Sequence, residues 1–158
     1  VSVNKVIDKN ANYLRFRKTL KSLDNSYVKV GYPEGKNPYP GGASVAEIAI
    51  YNEFGTERNG QEAIPSRPFF SNAFDKNREE LNNLIKDLYY KILAFQLNVS
   101  RGLDLIGLFM VGKIQKEIVD LREPPNKEST KKHKKGVDNP LIDTGHMKNS
   151  TTYEKVVK

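Results

Sequence analysis

Two apolar stripes at helical spacing dominate the middle of the chain. Phe74, Leu81, Leu84, Ile85, Leu88, Ile92 and Phe95 recur at three- and four-residue intervals, and Leu103, Ile106, Met110, Ile114, Ile118 and Leu121 repeat the pattern further on. That spacing places each set along one face of an α-helix, the first of about six turns and the second of about five. The first helix is expected to begin at Ser71 or Asn72, and residues Asn98 to Gly102 interrupt the two. Tyr89, Tyr90 and Leu93 widen the first stripe beyond what one face against a small sheet requires. Gly107 lies near the buried side of the second helix, where its missing side chain would allow close contact with another helix. Pro124 and Pro125 have no N–H and restrict the residue before them, so this helix must stop near Leu121.

Past that stop, residues 122–148 read as an extended loop or arm. Between Arg122 and Gly136 there are six Lys or Arg residues against two Glu. A segment so polar is not buried, and its length is unusual for a structureless loop within a compact domain. Its second half carries local order. Pro140, Leu141 and Ile142 form a small apolar anchor, Asp143 or Thr144 can accept bonds from following N–H groups, and Gly145 permits a turn or a cap before a very short helix bearing Met147. Thr151 to Tyr153, with Val156 and Val157, resemble a final strand.

Before the stripes, Val6, Ile7, Asn10, Tyr13, Leu14, Arg17 and Leu20 predict an amphipathic helix over residues 5–23, docked on a sheet with its basic face in solvent. Tyr27 to Tyr32 alternates and is β-branched at Val28 and Val30, as a strand requires. The stretch from Pro33 to Gly42 is a surface loop, in which Tyr39 is an interface anchor or a cap over the core. Ser44 and Glu47 have the spacing of a capping box, opening a helix over Val45–Phe54 that buries Val45, Ile48, Ala49 and Asn52 and ends at Gly55. Thr56 to Glu62 is a polar hairpin tip or disordered loop. Ile64 to Phe70 differs: Pro65 and Pro68 hold it extended, Phe69 and Phe70 enter a core or an interface, and Arg67 reaches Glu53, Glu47 or a neighbouring subunit. Together these elements predict a single α+β domain over residues 1–158, with a small, mostly antiparallel sheet packed against two long helices, an N-terminal helix and a long basic C-terminal arm. Further strands could lie in 37–43, 60–66 or 133–142.

Composition narrows the function. The 158 residues suit one domain with a real core, although only 37% are apolar. No apolar run approaches the roughly 20 residues that span a bilayer, and Val1 to Lys5 lacks the apolar core of a signal peptide, so neither membrane insertion nor a secretion signal is expected. With no cysteine there is no disulfide, thiolate nucleophile or sulfur-ligated metal. The two histidines, His133 and His146, are not in a metal-binding spacing, and Glu79, Glu80 and Asp104 fall on polar helix faces where carboxylates are solvated. No enzyme, cofactor or metal site is expected. The net charge of +7 favours acidic partners. Lys127, Lys131, Lys132, Lys134 and Lys135 could neutralise phosphates, making a nonspecific DNA-binding protein one alternative. The arm lacks the interleaved aromatics that stack on exposed bases. Proline-locked aromatics, a tyrosine-bearing loop and an anchored arm instead suit subunit packing.

Several ordered blocks carry a resemblance. They are Val28 to Gly31, Val45 to Ala49, Asn52-Glu53-Phe54-Gly55-Thr56, Ile64 to Phe70, Pro124-Pro125-Asn126 with Ser129 and Thr130, Lys135-Gly136, and Pro140 to Gly145 with Met147, Asn149 and Ser150. In order and spacing the chain resembles the tail-completion and neck (head–tail joining) proteins of tailed bacteriophages, also described as minor tail or virion-morphogenesis proteins. The resemblance covers most of the chain from residue 27 onward. It departs mildly at His146 and Met147, where the family often has a basic residue and leucine. What it implies is a non-enzymatic virion protein that assembles in the host cytoplasm into a homo-oligomeric ring, most plausibly six-fold. That ring would sit in the neck or at the head-proximal end of the tail, meeting the head–tail connector and the tail tube or tail terminator, with DNA in its lumen. Asn52, Glu53, Phe54, Gly55, Pro65, Arg67, Pro68 and Phe69 would then shape the core and inter-subunit contacts. Pro124, Pro125, Asn126, Pro140, Leu141, Asp143, Thr144 and Gly145 would anchor the arm.

Overall fold

The computed structural model describes residues 11–35, 38–39, 42–134 and 138–158. In chain order they form α1 (Ala11–Asn25), β1 (Tyr27–Gly31), α2 (Val45–Phe54), β2 (Thr56–Arg58), β3 (Gln61–Ile64), α3 (Phe69–Lys76), α4 (Arg78–Leu93), α5 (Val99–Asp120), α6 (Glu128–His133), α7 (His146–Ser150) and β4 (Thr152–Val156). The class is α+β. No helix among the described residues is long and apolar enough to cross a membrane.

The second apolar stripe becomes α5, around which the other elements are laid. Asn98 caps it by accepting a 2.8 Å bond from the Arg101 N–H. Met110, Ile114 and Ile118 are fully buried on its inner face, and Ile114 and Ile118 pack with Phe69, Ala73, Val45 and Ala49, and with Leu141 and Met147 from the far end of the chain. Ile92 meets Gly102, Glu80 pairs with Lys113, and Lys76 pairs with Glu117, so α5 runs back antiparallel along α4 and α3.

The first stripe is not one helix. It breaks at Asn77, whose φ of −113° and ψ of 12° leave the helical region. The Asn77 side chain donates to the Ala73 carbonyl at 2.8 Å, the local competition with the backbone that makes asparagine a poor interior residue. The helix also starts earlier than Ser71, at Phe69 directly after Pro68, where a missing N–H costs nothing.

The expected single sheet is two separate antiparallel pairs. β1 joins β4 in a register running from Tyr27 opposite Val156 to Gly31 opposite Thr152. Beyond its end, Thr151 Oγ1 donates to the Tyr32 hydroxyl at 3.1 Å, and burial pushes that phenol's pKa up to about 12. β2 and β3 form a hairpin turned by Asn59 and Gly60, both at positive φ, the conformation that tight hairpins require. β3 falls within 60–66; among the described residues of 37–43 and 133–142 there is no strand.

Gly107 does make a close contact, but with a strand. The β4 pair lies across α5, and a Cβ built at Gly107 would come within 2.5 Å of the Tyr153 ring. Above it, the Tyr153 hydroxyl and the Lys155 ammonium donate to Asp104 at 3.0 and 2.6 Å, so Asp104 is not a merely solvated carboxylate. The Lys155 bond, with that of Tyr153, holds its carboxyl below the usual range. Gly107→Ala is therefore expected to lift Tyr153 off α5 and cost about 2 kcal/mol. A lowered urea midpoint at unchanged slope would show it; an unchanged midpoint would mean that the strand pair moves aside freely.

Of the N-terminal helix predicted over 5–23, residues 5–10 lie outside the described residues, with Val6, Ile7 and Asn10 among them. The rest, α1, contacts α4 and α5 rather than docking its apolar face on the sheet, and no residue of it is buried. An aromatic contact fastens it, the Arg15 guanidinium lying 4.1 Å from the centre of the Phe95 ring.

Candidate assembly surface

Helix α2 begins as the capping box predicts. Ser44 Oγ accepts from the Ala46 N–H at 3.2 Å while Glu47 accepts from the Ser44 N–H at 3.2 Å. Val45 and Ala49 face the core, Ile48 and Asn52 are only half-buried, and the third buried residue is Glu53. The stripe Glu47, Ile50, Tyr51 and Phe54 faces outward, with Phe54 74% exposed, Ile50 53% and Tyr51 42%. A solvated helix places its charges outside and its apolar residues inside. In α2 the carboxylate of Glu53 is inside and three large apolar side chains are outside.

Glu53 is buried because it serves the next helix. Its carboxylate accepts from the Phe70 N–H at 2.8 Å, the Ser71 N–H at 2.9 Å and the Ser71 hydroxyl at 2.5 Å, capping the start of α3. The turn that brings α3 there is made at Gly55, whose φ is 76°. A Cβ at Gly55 would come within 2.9 Å of both the Ile64 carbonyl oxygen and the Ser66 nitrogen. Two bonds secure the return of the chain: the Arg67 N–H to the Asn52 carbonyl at 2.7 Å, and Ser66 Oγ to the Glu53 carbonyl at 2.8 Å. Pro65 is half-buried and Pro68 exposed on either side of Arg67. Phe69 is fully buried, while Phe70 is half-buried against Phe74, with ring centres 5.4 Å apart. Between α2, the end of β1 and the start of α3 lies an open groove of about 300 Å³, floored by Ala49, Phe69 and Phe70 and rimmed by Ile50 and Phe54.

On the other side of the same turn, Arg67 fastens the arm. It is only 4% exposed, and it reaches neither Glu53 nor Glu47. Nε donates to the Pro124 carbonyl at 2.8 Å, and Nη2 donates to the Pro125 carbonyl at 3.1 Å and to Asn126 Oδ1 at 3.3 Å. Three proline-region acceptors therefore converge on one planar guanidinium, the geometry for which arginine is suited. Burial lowers its pKa.

The arm beyond it is not structureless over its described residues. The Asn126 side chain is buried and donates to the Asn139 carbonyl at 3.4 Å. Asn139 is a second hub: Nδ2 donates to the carbonyls of Ile118 and Val119, while Oδ1 accepts the N–H groups of Leu141 and Ile142. Pro140 and Leu141 are buried against the core; Asp143 and Thr144 are exposed. Gly145 takes a φ of 78° just before α7, and Thr144 Oγ1 accepts from the His146 N–H at 3.3 Å. Tyr39 closes this side as a lid over the core, its ring meeting that of His146 edge-on at 4.6 Å.

The basic cluster is divided by this arrangement. Lys134 points inward, its ammonium donating to the carbonyls of Asn139, Pro140 and Ile142 at 3.0 to 3.1 Å, and burial lowers its pKa. Lys131 pairs with Glu128 at 3.1 Å and stands 3.8 Å from Asp138. Lys127 and Lys132 are exposed, and Lys135 lies outside the described residues. In this arm, the hub at Asn139 and the inward turn of Lys134 were not foreseen from the sequence. Asparagine directly before Pro140 was the available signal, since that pair favours a turn. Among the described residues, no group of three His, Asp or Glu side chains is placed to hold a metal ion. No family model, curated protein or solved structure matches this chain.

Proposed function

We propose that this chain is a structural subunit of a tailed-phage virion. It forms a homo-oligomeric ring, six-fold by resemblance, at the head-proximal end of the tail or in the neck, completing the tail and joining it to the head connector. The observation that carries the reading is the helix α2, apolar on both faces, with Ile50, Tyr51 and Phe54 exposed on one stripe beside an apolar groove. Large aromatic side chains left in water next to a groove are characteristic of residues that dominate an interface. The motif blocks around Asn52–Thr56 and Ile64–Phe70, which carry the resemblance, build that groove and the turn behind it. In this reading the extended basic arm is an ordered part of the single domain, with Lys127 and Lys132 left to meet an acidic partner or DNA in the lumen.

The test is the mass in solution, alone and with connector and tail proteins. The expected result is a multiple of 17.9 kDa. Phe54→Asp is expected to weaken that association by at least about thirtyfold, the effect of losing a hot spot of about 2 kcal/mol, with an unchanged unfolding midpoint. A wild-type chain that stays at 17.9 kDa with every candidate neighbour would overturn the reading. Salt-sensitive retention of duplex DNA by that lone monomer would favour the DNA-binding alternative instead.

A further inference from the structure

Resting on the subunit reading, we infer that the occupant of the α2 groove is helix α1 of a second copy of this chain, in a head-to-tail contact. Among the described residues, two of the exposed apolar surfaces differ in charge. Helix α1 has no buried residue; Leu14 is 63% exposed and Tyr13 52%. Arg17, Lys18 and Lys21 share a stripe with Leu14 at the spacing i, i+3, i+4, i+7, against the single acid Asp24. Helix α2 presents Ile50, Tyr51 and Phe54 with Glu47 at the same spacing, and has no Lys or Arg. A basic helix with exposed apolar side chains is thus matched to an apolar helix and groove whose exposed charge is the Glu47 carboxylate. The third exposed apolar set, around Tyr89 and Tyr90 on α4, is carried by a helix with three acids and three bases, which offers no such complement.

Within one copy α1 contacts α4 and α5, leaving its stripe open to a neighbour. Two different surfaces that fit each other make a heterologous contact, and repetition of such a contact closes a ring. A groove fitting its own copy across a two-fold axis would instead stop at a dimer. Opposed charges on the two surfaces set the direction of docking and disfavour α1 against α1 or α2 against α2.

The absence of cysteine makes a clean test possible. Leu14→Cys and Phe54→Cys are both at exposed positions, so each variant is expected to fold. The two single variants, mixed and mildly oxidised at high protein concentration, are expected to give a disulfide-linked pair that neither forms alone. The double variant is expected to give a ladder ending at the ring's copy number. Self-linking of Phe54→Cys or of Leu14→Cys would overturn the inference, because it requires like faces to meet. No cross-link in a chain that light scattering shows to be oligomeric would overturn this contact and leave the subunit reading standing. No cross-link together with a wild-type mass that stays at 17.9 kDa with every candidate neighbour would remove both.

Discussion

Arg67→Ala is expected to lower the stability of the fold by about 3–4 kcal/mol, among the largest losses a single side chain can produce here. The substitution removes three donors at once and leaves the Pro124 and Pro125 carbonyls and Asn126 Oδ1 without the group that holds them. The arm then still has Asn139, Lys134 and the buried Leu141 and Met147 to keep it in place. Arg67→Lys is expected to recover less than half of the loss, because an ammonium on a flexible stem cannot address acceptors on two edges of a plane. Urea unfolding gives the magnitude, and limited proteolysis between Arg122 and Lys134 gives the place, since the arm should become the first cleavage site. A loss under about 1 kcal/mol would mean that the arm is held by its other contacts.

Glu53→Ala is expected to cost about 3 kcal/mol, through α3 rather than α2. The carboxylate accepts two backbone N–H groups and the Ser71 hydroxyl at a helix start whose N-cap is proline, which has no side-chain acceptor of its own. Glu53→Gln keeps one acceptor oxygen and loses the charge, so about half that cost is expected. A double-mutant cycle with Ser71→Ala isolates the coupling, expected at about 1 kcal/mol or more. Additive effects would show that Glu53 acts only by filling space. Both variants leave the outer stripe of α2 untouched.

Local features of this structure could be read from residues close together in sequence. Ser44 and Glu47 form the capping box because both partners lie within one turn. Gly55 ends α2 because only glycine accepts that φ at that crowded point. The α5 stripe is legible because its face is half-buried at Leu103 and Ile106 and buried from Met110 to Leu121. What was not legible depends on distant groups. Arg67 was expected to seek a carboxylate, yet its acceptors are mostly backbone carbonyls 57 and 58 residues away, and a carbonyl leaves no mark on residue type. The orientation of α2 was obscured because it has apolar residues on both faces, and the sequence does not show which face the rest of the chain covers. Lys134 read as solvated charge because nothing nearby in sequence announces three carbonyls converging on its ammonium. Asn77 was hidden inside a strong periodic pattern that continues past it in α4.

The pairing of β1 with β4 sets an order of events in making the protein. The Tyr32 and Thr151 side chains that meet beside this pair are 119 residues apart in the chain. Closing so long a loop carries an entropic penalty that only the finished contact offsets, so this pair should zip up late. Until β4 arrives, β1 presents an open edge and α5 has Gly107 uncovered where Tyr153 will sit. An unfinished polypeptide on the ribosome is thus the most aggregation-prone form of this molecule.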